Sequence, residues 1–256
     1  ADETYEYLRG ELTGMLGPII EIRAPKQMEE LALHKGMFPS RHRRYCTEEL
    51  KVFPMLEYLR THIRSDEDHV NVVGIRKEES KDRATMTEWE ESEGFDCWVW
   101  RPLIHWTLDD VIAIHKRHGL KPNPLYLKGA TRVGCWPCIY ARKAEIALIA
   151  KIDPARIQRL RVLEERVTEA QIARLAKTGE TLESRGYVKP GWFQAPVDGK
   201  GACWPIDEIV AWANTARGGK QTQLFDAQQS ADSGCMRWGL CETAAPAGAA
   251  ASPVEE

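Results

Sequence analysis

Apolar positions recur every three or four residues at the start of the chain. Tyr5, Leu8, Leu12 and Leu16 fall on one face and predict a helix over residues 3–16. Gly14 and Gly17 weaken its end and Pro18 stops it. Pro18-Ile-Ile-Glu-Ile22 is an apolar run of strand type, and Met28, Leu31 and Leu33 give a helix over 26–35 its apolar side. Thr47 is placed to cap a helix that turns Val52, Leu56 and Leu59 inward, with Glu48 and Glu49 favourable in its first turn. Val70-Asn-Val-Val-Gly-Ile75 and Trp98-Val-Trp-Arg-Pro-Leu103 read as strands, the second ended by Pro102. Thr107 and Asp110 make a capping box, with Asp where Glu is usual. They open a helix that packs through Leu108, Val111, Ile112 and Ile114 and ends at Gly119.

A helix over 141–150 follows, and Asp153-Pro154 supplies the N-cap and first position of a long charged helix to Lys177, with Gly179 beyond. The texture then changes. Residues 180–204 are turn-rich, Pro205 starts a short helix to Thr215, and Gly218-Gly219 breaks it. Residues 244–256 are Ala/Pro-rich without periodicity and are expected to be a disordered tail. Alternating helices and strands through residue 119, followed by helices and loops, predict an α/β domain over 1–150 and a helical, loop-rich appendage over 151–243.

Composition narrows the class. A chain of 256 residues, 43% hydrophobic and 29% charged, is long enough to bury a substantial core. No apolar run approaches the roughly 18 residues that span a bilayer, and the acidic start does not resemble a signal peptide. The expected location is cytoplasmic, where seven cysteines serve as reduced ligands or redox thiols rather than disulfides. A net charge of −3 argues against bulk binding of nucleic acid. Arg41-His-Arg-Arg44 is a local exception, to be read as an anion site or as a solvated basic loop.

The chemistry concentrates in Thr131-Arg-Val-Gly-Cys-Trp-Pro-Cys-Ile139. Cys135 and Cys138 on one tight turn can converge on a metal or cluster, act as a dithiol, or pack as small apolar groups. Gly134 permits the turn and Pro137 restricts the backbone between the sulfurs. Cys46 is expected just before a helix N-terminus, where the dipole would stabilise a thiolate. His105, His115 and His118 make no metal pattern with any cysteine and are expected to pack or face solvent. The strand ending at Ile75 delivers Arg76 to its C-terminal end, and Ser80 and Arg83 follow within two turns. Two guanidiniums and a hydroxyl there suit a phosphate or sulfate.

Six pieces occur in a telling order: Glu3-Thr-Tyr-Glu-Tyr7, Tyr45-Cys-Thr-Glu-Glu-Leu-Lys51, Gly74-Ile-Arg76 with Ser80 and Arg83, Arg101-Pro-Leu-Ile-His-Trp-Thr107 with Asp110-Val111, Asn123-Pro-Leu-Tyr126, and Val133-Gly-Cys-Trp-Pro-Cys138. Over residues 1–150 the chain resembles the phosphoadenosine-phosphosulfate (PAPS) reductase family, of the PP-loop, adenine-nucleotide alpha-hydrolase-like group. The nearest flavour is the phage- and plasmid-type branch, which includes proteins of DNA phosphorothioation.

The resemblance implies a Rossmann-like parallel sheet that binds an adenine nucleotide, PAPS or ATP, at its strand C-termini. It places the sulfate- or phosphate-contacting motif on Gly74-Ile-Arg76 and Arg83. It also implies a 4Fe–4S cluster on Cys46, Cys135 and Cys138, with Cys241, or Cys235 beside it, as the fourth ligand. Tyr45-Cys46 stands where such relatives carry a Cys-Cys pair. Zinc would accept the same sulfurs, while Cys97 and Cys203 are expected to pack. Gly239-Leu-Cys-Glu242 only faintly echoes the family's C-terminal Glu-Cys-Gly-Leu-His type motif, so no catalytic residue is assigned.

The family's Ser-Gly-Gly-x-Asp-Ser type phosphate loop is absent from these residues, and the chain begins where the family's second strand would have ended. The expected function is reduction of a sulfonucleotide with a thioredoxin-like electron donor, in an N-terminally truncated fold. The alternatives are ATP-dependent thiolation or phosphorothioation with a nucleic-acid partner, and a catalytically incomplete metal-binding module.

Overall fold

The computed structural model describes residues 2–40, 42–63, 68–186, 189–193, 204–216 and 238. The opening helix α1 runs as α-helix Asp2–Tyr7, π-helix Leu8–Leu12 and α-helix Thr13–Leu16. Helix α2 is Met28–Lys35, and α3 comprises Tyr45–Thr47, a π-helical stretch Glu48–Val52 and Phe53–His62. Then come β1 (Val70–Val72), a 3₁₀ turn (Lys77–Glu79), α4 (Lys81–Ala84), β2 (Trp89–Ser92) and β3 (Cys97–Trp100). Five helices follow: α5 (Leu108–Arg117), α6 (Pro124–Leu127), α7 (Lys143–Ile152), α8 (Pro154–Ala176) and α9 (Ile206–Ala213).

The fold is mixed α/β, as the alternation predicts, but the sheet is small and mixed rather than wholly parallel. Its order is β1-β3-β2, with β1 parallel and β2 antiparallel to β3. Strand β2, Trp-Glu-Glu-Ser, has too few apolar positions to be recognised as a strand; pairing with β3 makes it one. Conversely, Pro18–Ile22 forms no strand, because none of the three strands pairs with it.

Register fixes which side of the sheet is apolar. Val70 and Val72 pair with Trp98 and Trp100, and Trp100 pairs with Trp89, so these side chains share one face. That face is open: Val70, Val72, Trp98 and Trp89 are 47%, 58%, 51% and 48% exposed. Trp89 and Trp100 stack there at 5.4 Å between ring centroids. The opposite face buries Cys97 and Val99, so Cys97 packs as expected.

The main core is helical. Ile157, Leu160, Leu163 and Val167 line one side of α8 and meet Ala32 of α2, Ile146 and Ile149 of α7, and Ile206 and Ile209 of α9. Core residues therefore come from both sides of residue 150. Two of the caps read from sequence hold: the Asp153 carboxylate accepts from the Arg156 N–H at 3.0 Å, and Thr107 and Asp110 form a reciprocal capping box. Gly119 and Gly179 close their helices at φ of 63° and 72°. Among the described residues no helix is long and apolar enough to cross a membrane.

One carboxylate sits inside this helical core. Glu164 accepts the Trp192 N–H at 2.8 Å and the Ile206 N–H at 2.9 Å, pinning two later segments to α8. Burial pushes its pKa above the usual carboxylate value, although both N–H groups oppose the shift. A Glu164→Gln change sets an amide NH₂ against one of those donors and should cost about 1–3 kcal/mol, read as a lower urea midpoint. Because the folded pKa is raised, the group's proton-linked stability is fully present below the unfolded pKa and is lost as pH rises through the folded one. The penalty of Glu164→Gln should therefore be larger at about pH 4 than at about pH 7.

Candidate functional site

The cysteine loop is held at both ends by one buried side chain. Glu145 of α7 accepts the Arg142 N–H at 2.7 Å, closing the N-terminus of its own helix. Its other oxygen takes Arg132 Nε at 2.8 Å and the Thr131 hydroxyl at 3.3 Å. Arg132 then donates to the Tyr140 carbonyl at 2.7 Å, so residues 131–142 form a clasped loop. At its crown Trp136 Nε1 donates to Asp153 at 3.1 Å, the residue that caps α8. The Trp136–Pro137 peptide is cis. Cys135 is exposed and Cys138 half-buried, and the thiols are free.

Cys46 lies elsewhere than the sequence predicts. Helix α3 begins at Tyr45, with Arg44 at its N-cap, so Cys46 is inside the first turn rather than ahead of it. Thr47 is helical too, and the Thr47 N–H donates to the Arg44 carbonyl at 2.8 Å. Nor is the Cys46 thiol depressed. Burial pushes it up, Cys135 and more weakly Cys138 push the same way, and the Thr47 hydroxyl and Lys51 oppose them. Cys46 thus lies within electrostatic reach of the two loop cysteines, although they are distant from it in sequence. Among the described residues no three His, Cys, Asp or Glu side chains close into a metal-holding group. Cys235, Cys241 and Cys203 lie outside the described residues.

At the end of β1, Arg76 and Arg83 converge on one carboxylate. Arg76 pairs with Glu78 and reaches Glu79 at 3.5 Å, while Arg83 pairs with the other oxygen of Glu79. The Ser80 hydroxyl accepts the Arg83 N–H at 3.2 Å and caps α4. The three residues are thus brought together as the spacing predicts. The sequence reading overlooked Glu78 and Glu79, which occupy both guanidiniums.

Tyr126 connects the two regions and was legible only as part of Asn123-Pro-Leu-Tyr126. Burial raises its pKa most, the Val133 backbone and the charge of Arg76 lower it, and Glu79 raises it. Val133 stands at the entrance to the cysteine loop. Trp238, three residues from both Cys235 and Cys241 in sequence, is buried against the same ring at 5.8 Å and against His115 at 5.2 Å. His115 therefore packs, and its Nδ1 is bonded to the Val111 carbonyl at 2.8 Å.

The proximity of the thiols has a direct check. In a Cys138→Ser variant, where Cys135 cannot close on its neighbour, mild oxidation of dilute metal-free protein should join Cys46 to Cys135. Peptide mapping by mass spectrometry should show that link while Cys97 stays reduced.

A family model for the phosphoadenosine phosphosulfate reductase domain matches residues 1–141, which contain Cys46, Arg76, Ser80, Arg83, Tyr126, Cys135 and Cys138. An uncharacterized 37.8 kDa protein of Escherichia phage 186 is 35% identical over 218 residues, 77% of this chain and 59% of that protein. Adenosine 5'-phosphosulfate reductase 1 of Bacillus subtilis is 30% identical over 138 residues, 53% of this chain and 57% of the relative. The adenosine 5'-phosphosulfate reductase of Burkholderia cepacia is 39% identical over 70 residues, 27% of this chain and 28% of that enzyme. The chain thus spans less than two thirds of the length of these relatives. With more than half of its residues matched by the model, and with the matched stretch holding the clasped cysteine loop and the paired arginines, the chain belongs to the phosphoadenosine phosphosulfate reductase family.

Proposed function

We propose that this chain carries the cysteine and arginine parts of an enzyme that reduces a sulfonucleotide such as PAPS. Cys46, Cys135 and Cys138, with Cys241 or Cys235 as a fourth thiolate, would hold a 4Fe–4S cluster. What supports this reading is that Cys46, far away in sequence, lies near enough to the clasped loop for Cys135 and Cys138 to add to the burial that raises its thiol pKa. By chemistry, three soft thiols free of disulfides suit a cluster or, as the alternative, zinc, and Cys46 would have to close on the Cys135/Cys138 loop to hold either one. Trp238, three residues in sequence from both Cys235 and Cys241, packs against Tyr126 and supports drawing the fourth ligand from that pair. When bound, such a cluster supplies a compact charged centre beside the substrate.

The chain's own groups then have definite work. Arg76 and Arg83, drawn from Glu79, would neutralise the sulfate or phosphate oxygens. A thiolate attacks the sulfate sulfur, the S–O bond to the nucleotide breaks, and the nucleotide leaves with the electron pair. A thioredoxin-like dithiol attacks the resulting adduct, releasing sulfite and becoming a disulfide. The reduced thiols this requires fit the cytoplasm. The exposed face of β1 and its edge, which no strand pairs with among the described residues, favour one companion reading. In it, a segment bearing the phosphate loop pairs with β1 to complete the nucleotide site, and the chain alone is a metal-binding module.

Protein purified without oxygen should contain iron and acid-labile sulfide in equal amounts, both lost in Cys135→Ala. Zinc without sulfide would replace the cluster by the alternative metal. Isothermal titration should show PAPS or its 3'-dephospho form binding, with affinity reduced about tenfold or more in Arg76→Gln. ATP binding with pyrophosphate release in the presence of nucleic acid would instead support thiolation. Binding of no nucleotide, even with a phosphate-loop segment restored, would leave only the metal-binding module.

A further inference from the structure

We infer that a second anion site, apart from Arg76 and Arg83, lies between the C-terminus of α2, the loop into α3, and α8, and takes closely spaced phosphate groups. The site is an open groove of about 580 Å³, within the usual range for ligand sites. Its walls carry Lys35, His42, Arg43, Arg44 and Arg174, against the single carboxylate Glu48. In a chain of net charge −3, this is a local concentration of positive charge.

A basic run is often only a solvated loop, but this one is built into a frame. The Tyr45 hydroxyl donates to the Met37 carbonyl at 2.7 Å, and Ser40 and Arg43 exchange backbone hydrogen bonds at 3.1 and 3.2 Å. Arg174 reaches across from α8 to the Lys35 carbonyl at 2.6 Å and to the His34 carbonyl. Gly36, at φ 63°, lets α2 end against α8; a side chain there would lie 3.5 Å from the Gln171 Cα and 3.6 Å from the Arg174 guanidinium. Three separate elements therefore hold the cations around one space.

The charges are also available. Among the described residues only Lys35 of this set has a carboxylate partner, Glu49 at 3.0 Å. Arg43 reaches the Met37 sulfur at 3.5 Å, and Arg44 lies over the Tyr140 ring at 5.5 Å. Both arginines are exposed. Guanidiniums in this state match phosphate oxygens. The groove has little to offer a nucleobase, because Tyr45 is buried and Lys35 covers its ring at 5.1 Å. Its size and spread of cations suit a chain of phosphates rather than one. Such a chain has two sources, a small polyphosphate or a nucleic-acid backbone.

Isothermal titration of the full chain with inorganic tripolyphosphate and with a short oligothymidylate, at low and high salt, tests the site. Binding should weaken with salt and fall about tenfold or more in Arg43→Gln/Arg44→Gln. Arg43→Gln alone, at an exposed position, should give part of the loss, and circular dichroism melts should match the parent. Arg117→Gln, at an exposed arginine of α5, should leave binding unchanged, and in Arg83→Gln the Arg43- and Arg44-dependent binding should persist, so this reading and the sulfonucleotide reading fail separately. Tripolyphosphate binding alone assigns a small polyphosphate, and oligothymidylate binding with the same arginine dependence assigns a phosphodiester backbone. The site is refuted if neither ligand binds at low salt, if the double variant keeps parental affinity, or if Arg83→Gln is the change that abolishes binding.

Discussion

The candidate site depends on one buried carboxylate. Glu145 caps α7 through the Arg142 N–H and, with the other oxygen, holds Thr131 and Arg132 at the far end of the cysteine loop. A loop that needs a defined place for two sulfurs cannot draw that place from apolar burial alone, because one of its cysteines is exposed. Charge-assisted hydrogen bonds from a buried anion supply the direction that packing lacks. Since α7 and α8 share Asp153 as an end cap and Trp136 donates to that same carboxylate, the loop is fixed to the helical core rather than to the sheet.

Much of the helical part could be read from the chain because its signals are local. The Thr107/Asp110 capping box, the Asp153-Pro154 start and the glycine stops at Gly119 and Gly179 each act within one or two helical turns. The sheet was harder. Whether Trp89–Ser92 pairs and Pro18–Ile22 does not is decided by neighbours distant in sequence. The same holds for Cys46. Its helix starts two residues before the predicted cap, because Arg44 rather than Thr47 ends the loop, and within that first turn burial, with lesser help from Cys135 and Cys138, raises the thiol pKa.

The arginine end shows a comparable limit. Spacing alone brought Arg76, Ser80 and Arg83 to one place, yet the carboxylates between them were read as ordinary loop charge. In the fold Glu79 bridges both guanidiniums, and a bridged pair is shielded until a stronger anion competes for it. Arg43 and Arg44 have no such counter-ion among the described residues, so the two basic regions of the chain differ in kind.

Tyr126 ties these observations together. Burial dominates its titration, the Val133 backbone of the cysteine loop and the charge of Arg76 beyond β1 pull the other way, and Glu79 adds to burial. One phenol therefore feels groups from both the arginine end and the cysteine loop, and a change of charge at the arginines is registered beside the sulfurs.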